Sequence, residues 1–263
     1  MRAVAALVAV IAAAAPSPFR DDHALPLAVR TLAVARNGSV TVREISFAVD
    51  RTTREKAFLL TPAGAGPHPG IVFYPGRWQT RAWFLKEALA DARRGVVAIS
   101  LDDLSTGYPS FTLADRARLV ERVVTGLRAL DLLAAQPGVD PARLALVGHS
   151  DGAEIAGTIA GVDHRLKAVV LMSGGGIWDR ARSSAYDRVI RPLDADNWVG
   201  RAAPAALLFQ NALADEYVPR ADARTYQAAG SRPKTIRWYA ATHVLDAKAE
   251  RDRQAWLRRE LGF

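Results

Sequence analysis

Five short apolar runs set the fold: Gly70 to Tyr74 (GIVFY), Gly95 to Leu101 (GVVAISL), Leu144 to Val147, Ala168 to Met172 and Ala205 to Phe209. Each is bounded by turn residues and is continuous rather than alternating, the pattern of strands covered on both faces. Helical spacing fills the gaps between them. Leu113 to Ala135 puts Leu119, Val120, Val123, Val124, Leu127 and Leu130 on one stripe, with arginines and acids interleaved elsewhere. Ala221 to Ala229 follows Pro219 and stops at Gly230, and Leu245 to Leu261 closes the chain after a last strand at Thr235 to Tyr239. Upstream, Ser39 to Asp50 and Lys56 to Leu60 alternate at period two and predict an antiparallel, hairpin-like start. The alternation predicts one α/β domain over residues 38–263, with a mainly parallel central sheet and helices on both faces.

Composition narrows the chemistry. The 263 residues are 50% hydrophobic and contain no cysteine, which excludes a disulfide framework, a thiol nucleophile and thiolate metal sites. The net charge of +8 comes from 30 arginines and five lysines, a bias that fits a GC-rich bacterial genome. Interleaving with acids makes these arginines a solvated face, so no nucleic-acid partner is expected. Met1-Arg2 followed by the apolar run Ala3 to Ala15, with an A-x-A site at Ala12-Ala13-Ala14, reads as a signal peptide over residues 1–14. It predicts an exported protein, periplasmic or secreted. The run is too short for a stable membrane anchor. Residues 15–37 are then an N-terminal extension, and the expected state is a monomer or homodimer.

The strand Leu144 to Val147 runs straight into Gly148-His149-Ser150-Asp151-Gly152 and then into the small-residue helix AEIAGTIA. This is a G-x-S-x-G elbow in the strand-turn-helix context it requires. Its serine projects at the carboxyl edge of the sheet, and the first amides of the next helix face any developing oxyanion. A serine alone is a weak nucleophile and needs a base held by an acid. Of the five histidines, His23, His68, His149 and His164 read as structural or solvated. His243 lies between the last strand and the final helix, where a loop at the active edge belongs. For the acid, Asp215 after the strand Ala205 to Phe209 is the best placed, with Glu216 its neighbouring competitor. Asp102 and Asp103 follow an earlier strand and read as loop caps. Ser150, Asp215 and His243 then stand in one known hydrolase order.

With these residues in view, the chain from about Ser39 to Leu261 resembles the α/β-hydrolase superfamily, nearest its dienelactone-hydrolase-like and small serine esterase members. The stretches that carry the likeness are GPHPGIVFYPG, VDPARLALVGHSDG, LADEYVP and ATHVLD. The resemblance implies an α/β-hydrolase fold and assigns the acid to Asp215, in Asp215-Glu216-Tyr217-Val218-Pro219. Where the family commonly has His-Gly, this chain has Pro75-Gly76, so the backbone N–H of Arg77 is expected beside that of Asp151 as the oxyanion donors. The carboxylate of Asp151 is expected to turn away and meet a cationic partner, or to favour a cationic group on the substrate. Dienelactone hydrolases usually carry a cysteine nucleophile, and the serine here argues against that reaction.

Residues 173–204 are expected to form a short cap, and Trp78, Trp178 and Trp198 are its candidate substrate-binding walls, with core and rim packing the plainer role. Gly174-Gly175-Gly176 lacks nucleotide-binding spacing, and no motif suggests a metal, so neither cofactor nor metal is expected. The expected function is a serine hydrolase of small to medium carboxylic or thio-esters acting through an acyl-enzyme. A peptidase, amidase or lactonase would use the same machinery, and a non-catalytic binding protein on the same fold is the alternative from another class.

Overall fold

The computed structural model describes residues 17–19, 24–105, 107–176 and 183–263. Nine strands form one sheet in the order β1-β2-β3-β5-β4-β6-β7-β8-β9. They are β1 (Arg30–Asn37), β2 (Val40–Ala48), β3 (Arg54–Thr61), β4 (His68–Tyr74), β5 (Val97–Leu101), β6 (Val139–His149), β7 (Leu166–Met172), β8 (Ala206–Ala212) and β9 (Lys234–Tyr239). The pairs β1–β2, β2–β3 and β3–β5 are antiparallel, and every pair from β5 through β4 to β9 is parallel.

The apolar runs are buried on both faces because successive residues point to opposite sides. Val72, Tyr74, Leu144, Leu146, Val169, Leu171, Leu207 and Phe209 belong to one core, which they share with residues of α2 (Leu113–Ala134) and α3 (Asp151–Ala160). Their alternates Ile71, Phe73, Ala145, Val147, Ala168, Val170 and Leu208 belong to a second core with α1 (Leu85–Ala92) and α6 (Ala247–Leu261). α2 starts where a capping box closes it: the Thr112 hydroxyl accepts from Asp115 N, and the Asp115 carboxylate accepts from Thr112 N. Two further helices, α4 (Ser184–Val189) and α5 (Arg220–Ala229), complete the layer.

Two expectations change. The sheet begins at Arg30, inside the segment 15–37 read as an extension, because β1 pairs with β2 along its length. All eight β1 residues are exposed, so the strand carries no burial pattern for sequence reading to detect. The described part of the 173–204 segment is also not simply a cap. Tyr186, Ile190, Leu193, Ala195, Trp198, Val199 and Ala202 are buried in the same core as α2 and α3. The distance between the flanking strands and the place where the resembled family inserts a cap made this stretch look like an insertion, but residues 184–202 pack into the helical layer.

Asp91 in α1 is fully buried, and neither carboxylate oxygen has a hydrogen-bond partner among the described residues. Burial, reinforced by the charge of Glu87, pushes its pKa up to about 7. A carboxyl whose folded pKa lies above its unfolded value is neutral and harmless at low pH and penalises the fold as pH rises through 7. Asp91→Asn removes that term. Urea unfolding is expected to show the variant gaining about 1–2 kcal/mol on wild type between pH 5 and pH 8.

Candidate active site

β6 ends against the start of α3 with no loop between them, and Ser150 alone makes the turn, at φ 55° and ψ −125°. A non-glycine residue in this region is strained and persists only where its surroundings hold it. Here Ser150 N donates to Met172 O at 2.8 Å, and both flanking glycines are needed for room. A Cβ at Gly148 would lie 2.2 Å from Gly152 O, and one at Gly152 would lie 2.3 Å from the carbonyl oxygens of Tyr74 and Pro75. Strand, helix and the β4 loop therefore touch through bare backbone.

The loop after β8 and the loop after β9 bring Asp215 and His243 together. His243 Nδ1 lies 2.9 and 3.0 Å from the two carboxylate oxygens of Asp215. Asp215 Oδ1 also accepts from the amides of Tyr217 at 2.9 Å and Val218 at 2.8 Å. Burial works against its charge, but the bonds from His243, Val218 and Tyr217 win and hold its pKa below the usual value. An ionised acceptor requires the proton on Nδ1, which leaves Nε2 of His243 as the basic nitrogen. Glu216 does something else: its Oε2 accepts from the backbone N–H of His243 at 3.1 Å. Asp215 and Glu216 thus divide the ring and the main chain of one histidine between them.

The carbonyl of His243 is held as firmly. It accepts from Ser173 Oγ at 2.7 Å and from His149 Nε2 at 3.1 Å. Ser173, the residue after β7, sits at φ 50°, another strained position. His149 immediately precedes Ser150, so His243 is tied to the elbow through one imidazole. The ring of His149 stacks on Trp83 at 5.5 Å and lies 5.0 Å from that of His243, whose other side meets Tyr217 at 5.0 Å. Sequence reading assigned His149 a structural role and gave Ser173, Trp83 and Tyr217 none. The available signal was position: Ser173 and Trp83 both follow carboxyl ends of core strands.

The β4 loop completes the surroundings of Ser150. A Cβ at Gly76 would sit 3.1 Å from Ser150 Cβ and 3.2 Å from His149 Nδ1. Gln79 folds this loop by accepting from Gly76 N at 2.7 Å. Arg77 reaches across to the residue after Ser150, its Nε 2.7 Å from Asp151 Oδ2 and its Nη2 3.0 Å from Oδ1. Behind the pair, buried Arg122 lies 3.7 Å from Asp151 and bonds Asp103 and Tyr108. Asp102 accepts from Arg81 N at 2.6 Å and Arg81 Nη1 at 2.7 Å, so both early aspartates hold loops.

Trp78 and Trp198 do not converge. Trp78 is exposed at 68% on the rim of the β4 loop. Trp178 lies outside the described residues. Trp198 is not a substrate wall: it packs against Phe19, donates to Pro192 O at 3.2 Å and backs onto Gly161 at the far end of α3. Ten residues of helix, about 15 Å, separate that end from Ser150. Its rigid, buried indole reflects core packing, which composition alone does not distinguish from a pocket wall. Among the described residues no group of three or more His, Cys, Asp or Glu is arranged to hold a metal, and no helix is long and apolar enough to cross a membrane.

Burial, and next the nearby His243, push the pKa of His149 down to about 4. A histidine depressed in this way favours the fold above its unfolded pKa near 6.5, and that advantage is lost as pH falls toward 4. His149→Gln keeps an N–H donor but cannot titrate. Thermal melts are expected to fall less steeply between pH 6.5 and pH 4.5 for the variant than for wild type.

Comparison with known proteins finds hydrolases and esterases among the similar chains. Residues 128–226 match the family described as BAAT / acyl-CoA thioester hydrolase C terminal. Over 136 residues the chain is 35% identical to esterase FrsA of Salmonella paratyphi B, covering 50% of this chain and 31% of that protein. The chain thus spans about a third of the length of the curated relatives it matches. Among solved structures, an acetyl xylan esterase from Paenibacillus sp. R4 superposes with a TM-score of 0.75 at 21% identity, covering 90% of both chains. A dienelactone hydrolase-like promiscuous phosphotriesterase from metagenomic libraries does so at 0.63 and 19%, covering 85% of this chain and 99% of its own. With a β6 elbow, a mostly parallel sheet and these structural neighbours, the chain has an α/β-hydrolase fold.

Proposed function

We propose that the protein is a serine hydrolase of carboxylic esters and thioesters. The observation that carries the reading is the Asp215–His243 pair, anchored through His149 to the elbow that presents Ser150. Ser150 Oγ attacks the acyl carbonyl while Nε2 of His243 takes its proton. Asp215 keeps the ring in the Nδ1–H tautomer and stabilises the imidazolium that forms. The backbone N–H groups of Arg77 and Asp151 hold the oxyanion. His243 then returns the proton to the leaving alcohol or thiol, and water, activated by the same histidine, releases the acid from the acyl-enzyme.

Charge near the oxyanion has to be accounted for. Two like charges about 5 Å apart at an effective dielectric of about 20 repel by about 3 kcal/mol, enough to slow the reaction about a hundredfold. The carboxylate of Asp151 would be such a charge, and its pairing with Arg77 and Arg122 offsets it. Exposed Trp78, Trp83, Leu104, Leu213, Tyr217 and Val244 follow the carboxyl ends of β4, β5, β8 and β9, which favours esters with an apolar acyl or alcohol part. The names of the relatives, esterases and an acyl-CoA thioester hydrolase family, support both leaving groups. The basic-apolar start of the chain supports export, which N-terminal sequencing of the protein from periplasm and medium tests.

Intact mass after incubation with a fluorophosphonate is expected to show one adduct on wild type and none on Ser150→Ala or His243→Ala. Turnover of p-nitrophenyl esters by Ser150→Ala should fall by about a thousandfold or more. A folded wild-type protein that takes no adduct and cleaves no ester in a graded series refutes the reading. Asp215→Asn is expected to lower kcat by about a hundredfold or more, and Glu216→Gln by about tenfold or less. The reverse order would give the acid's role to Glu216.

A further inference from the structure

The two residues whose amides are proposed to bind the oxyanion are the same two whose side chains form the bidentate bridge beside Ser150. Arg77 stands on the β4 loop and Asp151 at the first position of α3, 74 residues apart in sequence. At this point Gly76 and Gly152 bring backbone against backbone, and the bridge is the side-chain link that spans the same junction. We infer that the Arg77–Asp151 bridge is the element that sets the width of the oxyanion hole, locking its two donors at one separation. The inference rests on the esterase reading and goes beyond it by assigning the two side chains a role distinct from that of their amides.

The surroundings fit a positioning device better than a surface ion pair. Nε and Nη2 of Arg77 engage separate oxygens of Asp151, so the fork fixes orientation as well as distance. The Asp151 side chain is only 7% exposed, and exposed pairs rarely hold one geometry. On its other side the guanidinium is pressed by Gly107, where a Cβ would come within 2.6 Å of Nη1. Gly107 adopts φ +75°, open to glycine, so the β5 loop can lie on the arginine. Behind Asp151, Arg122 is fixed to Asp103 and Tyr108, and its own carbonyl accepts from Tyr74 Oη at 3.1 Å. Tyr74 is the last residue of β4, so the strand that launches Arg77 is pinned to the same network. Both ends of the bridge are thus backed, and a change in its length has to appear as a displacement of Arg77 N relative to Asp151 N.

A device of this kind acts on the tetrahedral state and leaves ground-state binding alone. Arg77→Lys keeps the charge but loses the fork, and Asp151→Asn keeps the shape but loses the charge; the double variant carries both changes. The substrate is p-nitrophenyl acetate, and the probe of the hole is a trifluoromethyl ketone, whose adduct with Ser150 places an oxyanion there. Each single variant is expected to lose about tenfold or more in kcat with KM changed less than about threefold. Ketone affinity should fall in parallel, and the double variant should be no worse than the poorer single, since both cut the same link. The inference is overturned if kcat stays within about twofold while only the melting temperature drops, if the loss lies in KM, or if ketone affinity is unchanged. Wild type that is inert toward both ester and ketone would instead remove the esterase reading on which the inference stands.

Discussion

Everything at the site hangs on close backbone contact around one strained residue. Ser150 takes a positive φ between two glycines, and the carbonyls of Tyr74, Pro75 and Gly152 occupy the space that side chains would need. Such a turn costs on the order of 1–3 kcal/mol, and it is held by the cores on either face of β6. The strain is what lifts the hydroxyl off the sheet edge. It also forces β4, β6 and α3 into one register, so that an arginine from the first and an aspartate from the last can meet.

The residues proposed to carry the chemistry come from four loops at one sheet edge, and main-chain contacts hold them as much as side-chain ones. His243 shows this best. Its ring is held by Asp215, its N–H by Glu216, and its carbonyl by Ser173 and His149. Four contacts from three different strand ends restrain one residue in a loop, which is what a base needs if it is to accept a proton without drifting from its partner.

The sheet was legible because its parallel strands are buried on both faces and read as continuous apolar runs. Helix α2 was legible because its apolar stripe is long. The elbow was legible because its constraint is steric and local: two glycines flanking a serine after a buried strand. Asp215 and His243 could be placed by order and by loop position. What escaped had no local signature. β1 is exposed on every residue, and its apolar run Leu32 to Ala35 is so short that it reads as part of the N-terminal extension. Trp198 carries the same sequence information whether it faces a ligand or the back of α3. His149 has a role only because β6 and the β9 loop come together in space, a pairing that spans 94 residues. The cation meeting Asp151 was expected from electrostatics, but which arginine it would be depended on the path of the β4 loop.

The exposed first strand has a consequence for how the protein behaves in crowded solution. β1 is the sheet's outer edge, and its far side faces no other strand among the described residues. Leu32 and Val34 are half or more exposed along it, which is the makings of a template for strand addition. Two features blunt it. Arg30 and Arg36 place positive charge near both ends, and the pairing with β2 slips between Thr31 and Ala33, twisting the edge out of line. The arginine excess of this chain therefore also serves as a guard: at its most adhesive border, charge and a bulge keep one sheet from continuing into the next.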